Sequence, residues 1–360
     1  GQILVGADRP LEAESTFRKV LERSAQNTEA RRSLIEILIN DDRAGEAVSQ
    51  FEVLLRDDPA NPDLLMRLGE IHLGNLDVEL KQRQASAADV WNRLANRRPD
   101  DAVTLSTVAR KMDSIDRTDR AIELYEDAIK ADPQSTQYRE YLGEYYHRLG
   151  RTDEAIDTWN SIAADSRRGR ESLIRLAEVF ETFKYSDLSL QTWREAAQYD
   201  LSFDERLRYA KALSDSDAHE DALGQLRIAS SLSQDPEQQE RLLRQRVETY
   251  RSSGRLGERI AQVSAETATA ENRRLLALLF QANGETASAS FAIDAARKLS
   301  PDHVPILIDA ANIAEQLGRL NEAVEIIESL VIRDKRFQIN HLRRLVGLHE
   351  KPVSYTHLRA

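Results

Sequence analysis

Between Tyr141 and Trp159 the chain reads YLGEYYHRLGRTDEAIDTW, and its apolar positions fall into two clusters separated by a polar turn. Counting from Thr136 as position 1, Leu142, Gly143 and Tyr146 stand at 7, 8 and 11, Gly150 at 15, and Ala155 and Trp159 at 20 and 24. Spacings of three and four put each cluster on one face of a helix, so the pattern predicts a helical hairpin that turns near Gly150. Stepping back 34 residues, Ala109, Met112, Ala121, Tyr125 and Ala128 occupy 8, 11, 20, 24 and 27, with Pro133 at 32. Stepping forward 34 residues, Leu176, Ala177, Phe180, Trp193 and Ala196 fall at 7, 8, 11, 24 and 27.

The same frame fits residues 28–61, with Ala47, Phe51 and Pro59 at 20, 24 and 32. It fits residues 270–303 through Phe280, Ala289, Ala296 and Pro301, and residues 304–337 through Gly318 at 15 and Ala323 at 20. A period that stays in phase over so much chain marks a repeat architecture. Packing accounts for the residue types. Two helices cross closely only where side chains are small, which suits Gly or Ala at 8 and 20. The large residue at 24 fills the space beside them, and Ala at 27 admits the first helix of the next unit. Proline at 32 ends the second helix, since it lacks an N–H and clashes with the preceding turn.

This pattern of L-G, Y, A, F or W, A and P resembles the tetratricopeptide repeat family, and the resemblance covers nearly the whole chain. The departure is position 4, usually Trp in the family but Leu105, Arg139 and Leu307 here. The resemblance implies an all-α fold, a right-handed superhelical solenoid of helix-turn-helix repeats. In this register residues 1–27 are a partial repeat, and 28–61, 62–101, 102–135, 136–169, 170–202 and 203–236 are successive units. Residues 237–269 are a degenerate unit, 270–337 a pair of units and 338–351 a further partial repeat.

Two irregularities interrupt the frame. Gly69 and Ala87 are 18 apart rather than 12, so six residues are inserted within GNLDVELKQRQAS, which predicts a longer hairpin. In 237–269, Arg259 stands where Ala is expected if Gly254 is position 15, and the second helix is short; this unit is expected to kink the array or divide it into two cooperative blocks. Ala13 and Phe17 at 20 and 24 make Gly1 position 8 of a unit without its first seven residues. At the other end Pro352 lands at 15 and His357 where Ala is due, and VSYTHLRA resembles a translated sequencing-adaptor read-through. The sequence is therefore expected to be a fragment at both ends, with residues 352–360 a non-native tail.

Composition narrows the chemistry. Against 61 acidic residues stand 50 Lys and Arg, a net charge of −11, which argues against general affinity for nucleic acid or anionic membrane. With no cysteine, thiol catalysis, zinc–thiolate sites and disulfides are excluded. No apolar run approaches the roughly 20 residues of a membrane span. Trp91, Trp159 and Trp193 all fall at position 24, as core residues should, and Tyr138, Tyr141, Tyr145 and Tyr146 share one helix whose rings are expected to pack between units. SDSDAHED, residues 214–221, gathers Asp215, Asp217, His219, Glu220 and Asp221 but lacks the glycine and distal glutamate of a calcium loop. It sits at a hairpin turn, where its Ser and Asp side chains are expected to cap the second helix. No phosphate-binding, dinucleotide-binding, nucleophile-elbow or H-E-x-x-H motif is present. No catalytic residue, cofactor or metal is therefore expected.

The resemblance implies a concave groove, lined by first helices, that binds peptides or protein segments. A non-catalytic interaction scaffold is the leading expectation. The alternatives are the repeat arm of a larger enzyme, such as a glycosyltransferase, kinase or protease, and an assembly factor for envelope polysaccharide or secretion machinery. In the family, positions 2, 5, 9 and 12 face the groove. Position 9 reads Glu36, Glu70, Arg110, Glu144 and Glu178, while Glu140 and Glu181 come from positions 5 and 12. This acidic stripe, interrupted by Arg32, Arg110 and Arg148, is expected to attract a basic or amphipathic partner. Family members that clamp an acidic C-terminal carboxylate carry Lys at 5 and Asn at 9. Here Arg32 pairs with Glu36 and Glu140 with Glu144, and Asn312 matches alone, so no such clamp is expected.

Overall fold

The computed structural model describes residues 10–164 and 169–349, so Gly1 and the tail at 352–360 lie outside the described residues. All regular structure among them is helical. Two compact units share the chain, the second beginning at Gly169. In the first, α1 (Pro10–Arg23) precedes four hairpins: α2 (Thr28–Asn40) with α3 (Ala44–Asp57), α4 (Pro62–Gly74) with α5 (Leu80–Arg97), α6 (Ala102–Asp113) with α7 (Thr118–Ala131), and α8 (Gln137–Arg148) with α9 (Thr152–Asn160). In the second follow α10 (Arg170–Thr182) with α11 (Ser186–Ala196), and α12 (Phe203–Asp215) with α13 (His219–Leu232). Next come α14 (Pro236–Ser252) with α15 (Leu256–Ala265), α16 (Ala270–Ala282) with α17 (Thr286–Leu299), α18 (Val304–Gln316) with α19 (Leu320–Arg333), and α20 (Gln338–His349). Within each unit, helices pack against their neighbours in sequence, and one continuous apolar core runs from Val247 on α14 to Leu348 on α20.

Small residues set the helix crossings. Ala47, Ala87, Ala121, Ala155, Ala222, Ala289 and Ala323 are completely buried, as are Trp91, Trp159 and Trp193. A Cβ on Gly69 would lie 2.1 Å from Trp91 Nε1, and one on Gly143 would lie 2.2 Å from Trp159 Nε1. Each indole sits on bare backbone and its N–H donates to a carbonyl one turn earlier, of Met66 at 3.3 Å and of Glu140 at 3.5 Å. Ala177 keeps its methyl at the corresponding position, and there the Trp193 N–H is buried with no hydrogen-bond partner among the described residues. Ser189 replaces alanine at position 20 and uses the same tight crossing to donate to the Ala177 carbonyl at 3.1 Å.

All but one of the turns inside the hairpins share one backbone solution. Asp42, Asp116, Gly150, Lys184, Asp217, Gly254, Gly284 and Gly318 all have positive φ. The residue after each donates back to the last turn of the first helix, as Arg151 does to Tyr146 at 2.9 Å and Tyr185 to Phe180 at 2.8 Å, the closure of a Schellman motif. SDSDAHED is such a turn, and here the capping expectation fails. The N-cap of α13 is Ala218, whose methyl cannot accept a hydrogen bond, while backbone bonds such as Ala218 N–H to the Leu213 carbonyl close the end of α12. Lys184 is exposed at φ 66, a conformation that costs an L-residue with a Cβ about 1–2 kcal/mol. Lys184→Gly is therefore expected to stabilise the second unit by about 1 kcal/mol. A urea midpoint that stays put or falls would contradict this.

The six inserted residues split between helix and turn. Helix α5 begins seven residues before Ala87, where α7 begins three before Ala121, and the connection from Gly74 lengthens to residues 75–79. No positive φ is needed there. The unit around Gly254 is irregular in a different way. Helix α14 has 17 residues and α15 only 10, and Arg259 is accommodated partly buried, 5.9 Å from the Tyr250 ring and paired to Glu266 at 3.5 Å.

Candidate functional site

The acidic stripe is laced with cations that the register of acids does not reveal. In the first unit Arg67 reaches Glu36 at 3.8 Å and Glu70 at 3.6 Å, and Lys111 bonds Glu70 at 2.7 Å. Glu140 accepts from the Thr136 hydroxyl at 3.0 Å. In the second unit Glu178 is held by Arg175 at 3.1 Å and by Arg208. Arg67, Arg175 and Arg208 all stand at position 6 of their units, facing the position-9 acid of their own helix or of the one before. Arg148 bonds Asp113 at 2.7 Å and lies over the Tyr145 ring, so it does not neutralise the glutamates. Arg110, Glu144 and Glu181 are exposed and enter no ion pair among the described residues. Asn312 accepts from Arg344 at 2.8 Å, and so is engaged within the fold.

A different feature gathers more of the second unit's surface. A cavity of about 930 Å³ opens among α12, α14, α16 and α18, the first helices of four successive hairpins. Leu207, Val247 and Leu278 form its buried apolar lining. Ser214, Ser252, Gln245, Gln281 and Gln316 supply uncharged donors and acceptors. Gln281 donates to Gln316 at 2.8 Å, and Gln245 to the Leu207 carbonyl at 2.5 Å. The lining charges are matched. Lys211 pairs with Asp215 at 2.5 Å, Arg241 with Asp204 at 2.6 Å, and Arg251 with Glu248.

One end of this cavity abuts a closed ring of two arginines and two acids. Arg274 donates through Nε to Asp309 at 2.7 Å and through Nη2 to Glu240 at 2.5 Å. Arg244 donates through Nε to Glu240 at 2.7 Å and through Nη2 to Asp309, completing the circuit. Asp309 is 1% exposed and the Arg274 side chain 9%, so the ring is anchored in the protein interior, where an unpaired charge is costly. Burial pushes the Glu240 carboxyl up, but the hydrogen bonds and field of Arg274, then of Arg244, hold it below the usual carboxylate range. The sequence did carry a signal for this ring. Asp309 is the one charged residue in the apolar run VPILIDAANIA, and a charge there must find a partner.

The turn after α12 brings Ser214, His219 and Asp217 together, an arrangement that invites a nucleophile reading. Ser214 Oγ is 3.4 Å from His219 Nδ1, and His219 Nε2 is 3.6 Å from Asp217, whose side chain is 98% exposed. The second distance is too long for a hydrogen bond, and a carboxylate in open water neither orients nor polarises the ring as a catalytic acid must. Among the described residues no group of three or more potential ligands could hold a metal ion.

A tetratricopeptide repeat family profile matches residues 1–62, 115–171 and 274–336, together just over half of the chain. No curated protein gives a significant sequence match. Solved structures similar to this chain include a tetratricopeptide repeat protein from Parabacteroides merdae, 14% identical, covering 70% of this chain and 98% of that one at a TM-score of 0.33. Yeast Tom70 is 14% identical over 89% of this chain and 60% of its own, also at 0.33. MamA from Desulfovibrio magneticus is 18% identical over 46% and 92%, at 0.31.

Proposed function

Because the chain belongs to the tetratricopeptide repeat family, we propose that it is an interaction scaffold that holds an amphipathic protein segment against its first helices. The observation that carries this is the cavity of about 930 Å³ lined by four successive first helices. Apolar side chains provide affinity there, and the glutamine and serine side chains can pair with a peptide backbone. The arginines and lysine on Glu36, Glu70 and Glu178 leave little unbalanced negative field, which favours an amphipathic segment over a purely basic one.

The test is selection of displayed twelve-residue peptides on the whole chain. Enriched peptides, made synthetically, are expected to bind with Kd near the micromolar range and to weaken at least about tenfold on Gln281→Arg, a loss of about 1.4 kcal/mol. The substituted side chain is only partly buried, so an unchanged thermal melt will show that the fold is intact. Failure to enrich any peptide overturns the reading.

A further inference from the structure

We infer that the second-unit cavity is a blind pocket that receives the tip of a partner's loop, a reverse turn with uncharged side chains. This rests on the segment-binding reading above and specifies its occupant. A segment laid along the α14 axis needs the cavity free at both ends, and the ion ring occupies one of them. Arg244 on α14 bonds Asp309 on α18, 65 residues away, reaching past α16, while Arg274 and Glu240 fill the gap between them. Beyond the ring, Arg336, in the turn before α20, bonds Glu237 at the start of α14 at 2.9 Å, across 99 residues of sequence. The N-terminal ends of α14 and α18 are thereby drawn together. Toward their C-terminal ends the lining passes to Ser252, Gln281 and Gln316, and no ion pair links α14 to α18 there among the described residues.

Length and charge select the occupant. From Glu240 to Ser252 the cavity follows about 18 Å of α14, at roughly 1.5 Å per residue. An extended strand would cross that in about five residues and then meet the ion ring. A chain end could stop there, but it would bring a terminal charge against walls whose own charges are already paired. A turn of about four residues has no terminus, enters and leaves by the same mouth, and offers backbone amides to Gln281, Gln316 and Ser252.

The test uses three displayed libraries on the full chain: a six-residue random loop closed by a disulfide, the same length with a free amino end, and the same length embedded in a flexible linear stretch. The closed loops are expected to dominate selection. A synthetic winner should lose at least tenfold in affinity on reduction of its disulfide, on Gln281→Arg, or on placing a lysine at its tip. Linear peptides that win and depend on Gln281 would overturn the loop-tip assignment while leaving the segment-binding reading intact. Closed loops that ignore Gln281→Arg would also overturn it, and no binders in any library would remove both.

Discussion

Gly143→Ala is expected to lower stability by about 3 kcal/mol, while Gly224→Ala raises it by about 1 kcal/mol, although both glycines lie inside helices. At Gly143 the new methyl would sit 2.2 Å from Trp159 Nε1, and the indole would have to leave both its place and its bond to the Glu140 carbonyl. At Gly224, within α13, a Cβ meets nothing within 4 Å, so only the gain from restricting a flexible helical residue remains. Trp159 lies in the first unit and Gly224 in the second, so each effect should be followed in its own part of the melt, using tryptophan emission and hydrogen exchange together. Effects of the same sign would show that helix propensity, and not the indole seat, governs position 8.

Asp309→Leu is expected to cost about 3–5 kcal/mol, because it leaves the Arg274 guanidinium buried with half its partners gone. Combining it with Arg274→Met should recover most of that loss, since Glu240 and Arg244 are exposed enough to pair with each other or with water. Urea denaturation of the two single variants and the double variant measures the coupling. An additive double variant would mean that the ring is a surface arrangement with no interior part.

The fold was readable because its determinants repeat. Small residues at 8 and 20 and a large one at 24 recur at most crossings because close packing requires them there, so Ala155 and Trp159 announced themselves by phase alone. The site was less readable because ion pairs between helices depend on which position-6 and position-10 side chains reach the next unit. Counting glutamates at position 9 found Glu36, Glu70 and Glu178 but not Arg67, Lys111 or Arg208, which come from a different stripe. SDSDAHED misled for a related reason. The turn places Ala218, which has no side-chain acceptor, at the N-cap of α13, while the left-handed Asp217 beside it closes the last turn of α12 through the backbone. The cavity could not be counted along the chain at all, since it exists only where four helices come together.

Repeat genes change length by gaining or losing whole units, and most such events are structurally neutral because each unit touches only its neighbours. The four-membered charge ring removes that freedom between α14 and α18. Excision of residues 270–303 would preserve the phase of every apolar position, yet would delete Arg274 and bring Asp309 one hairpin closer to Arg244 with a different set of counter-charges. Duplication at the same place would move those two out of reach of one another. Loss or gain of one hairpin in this stretch would thus carry an electrostatic cost that the apolar phase alone does not impose.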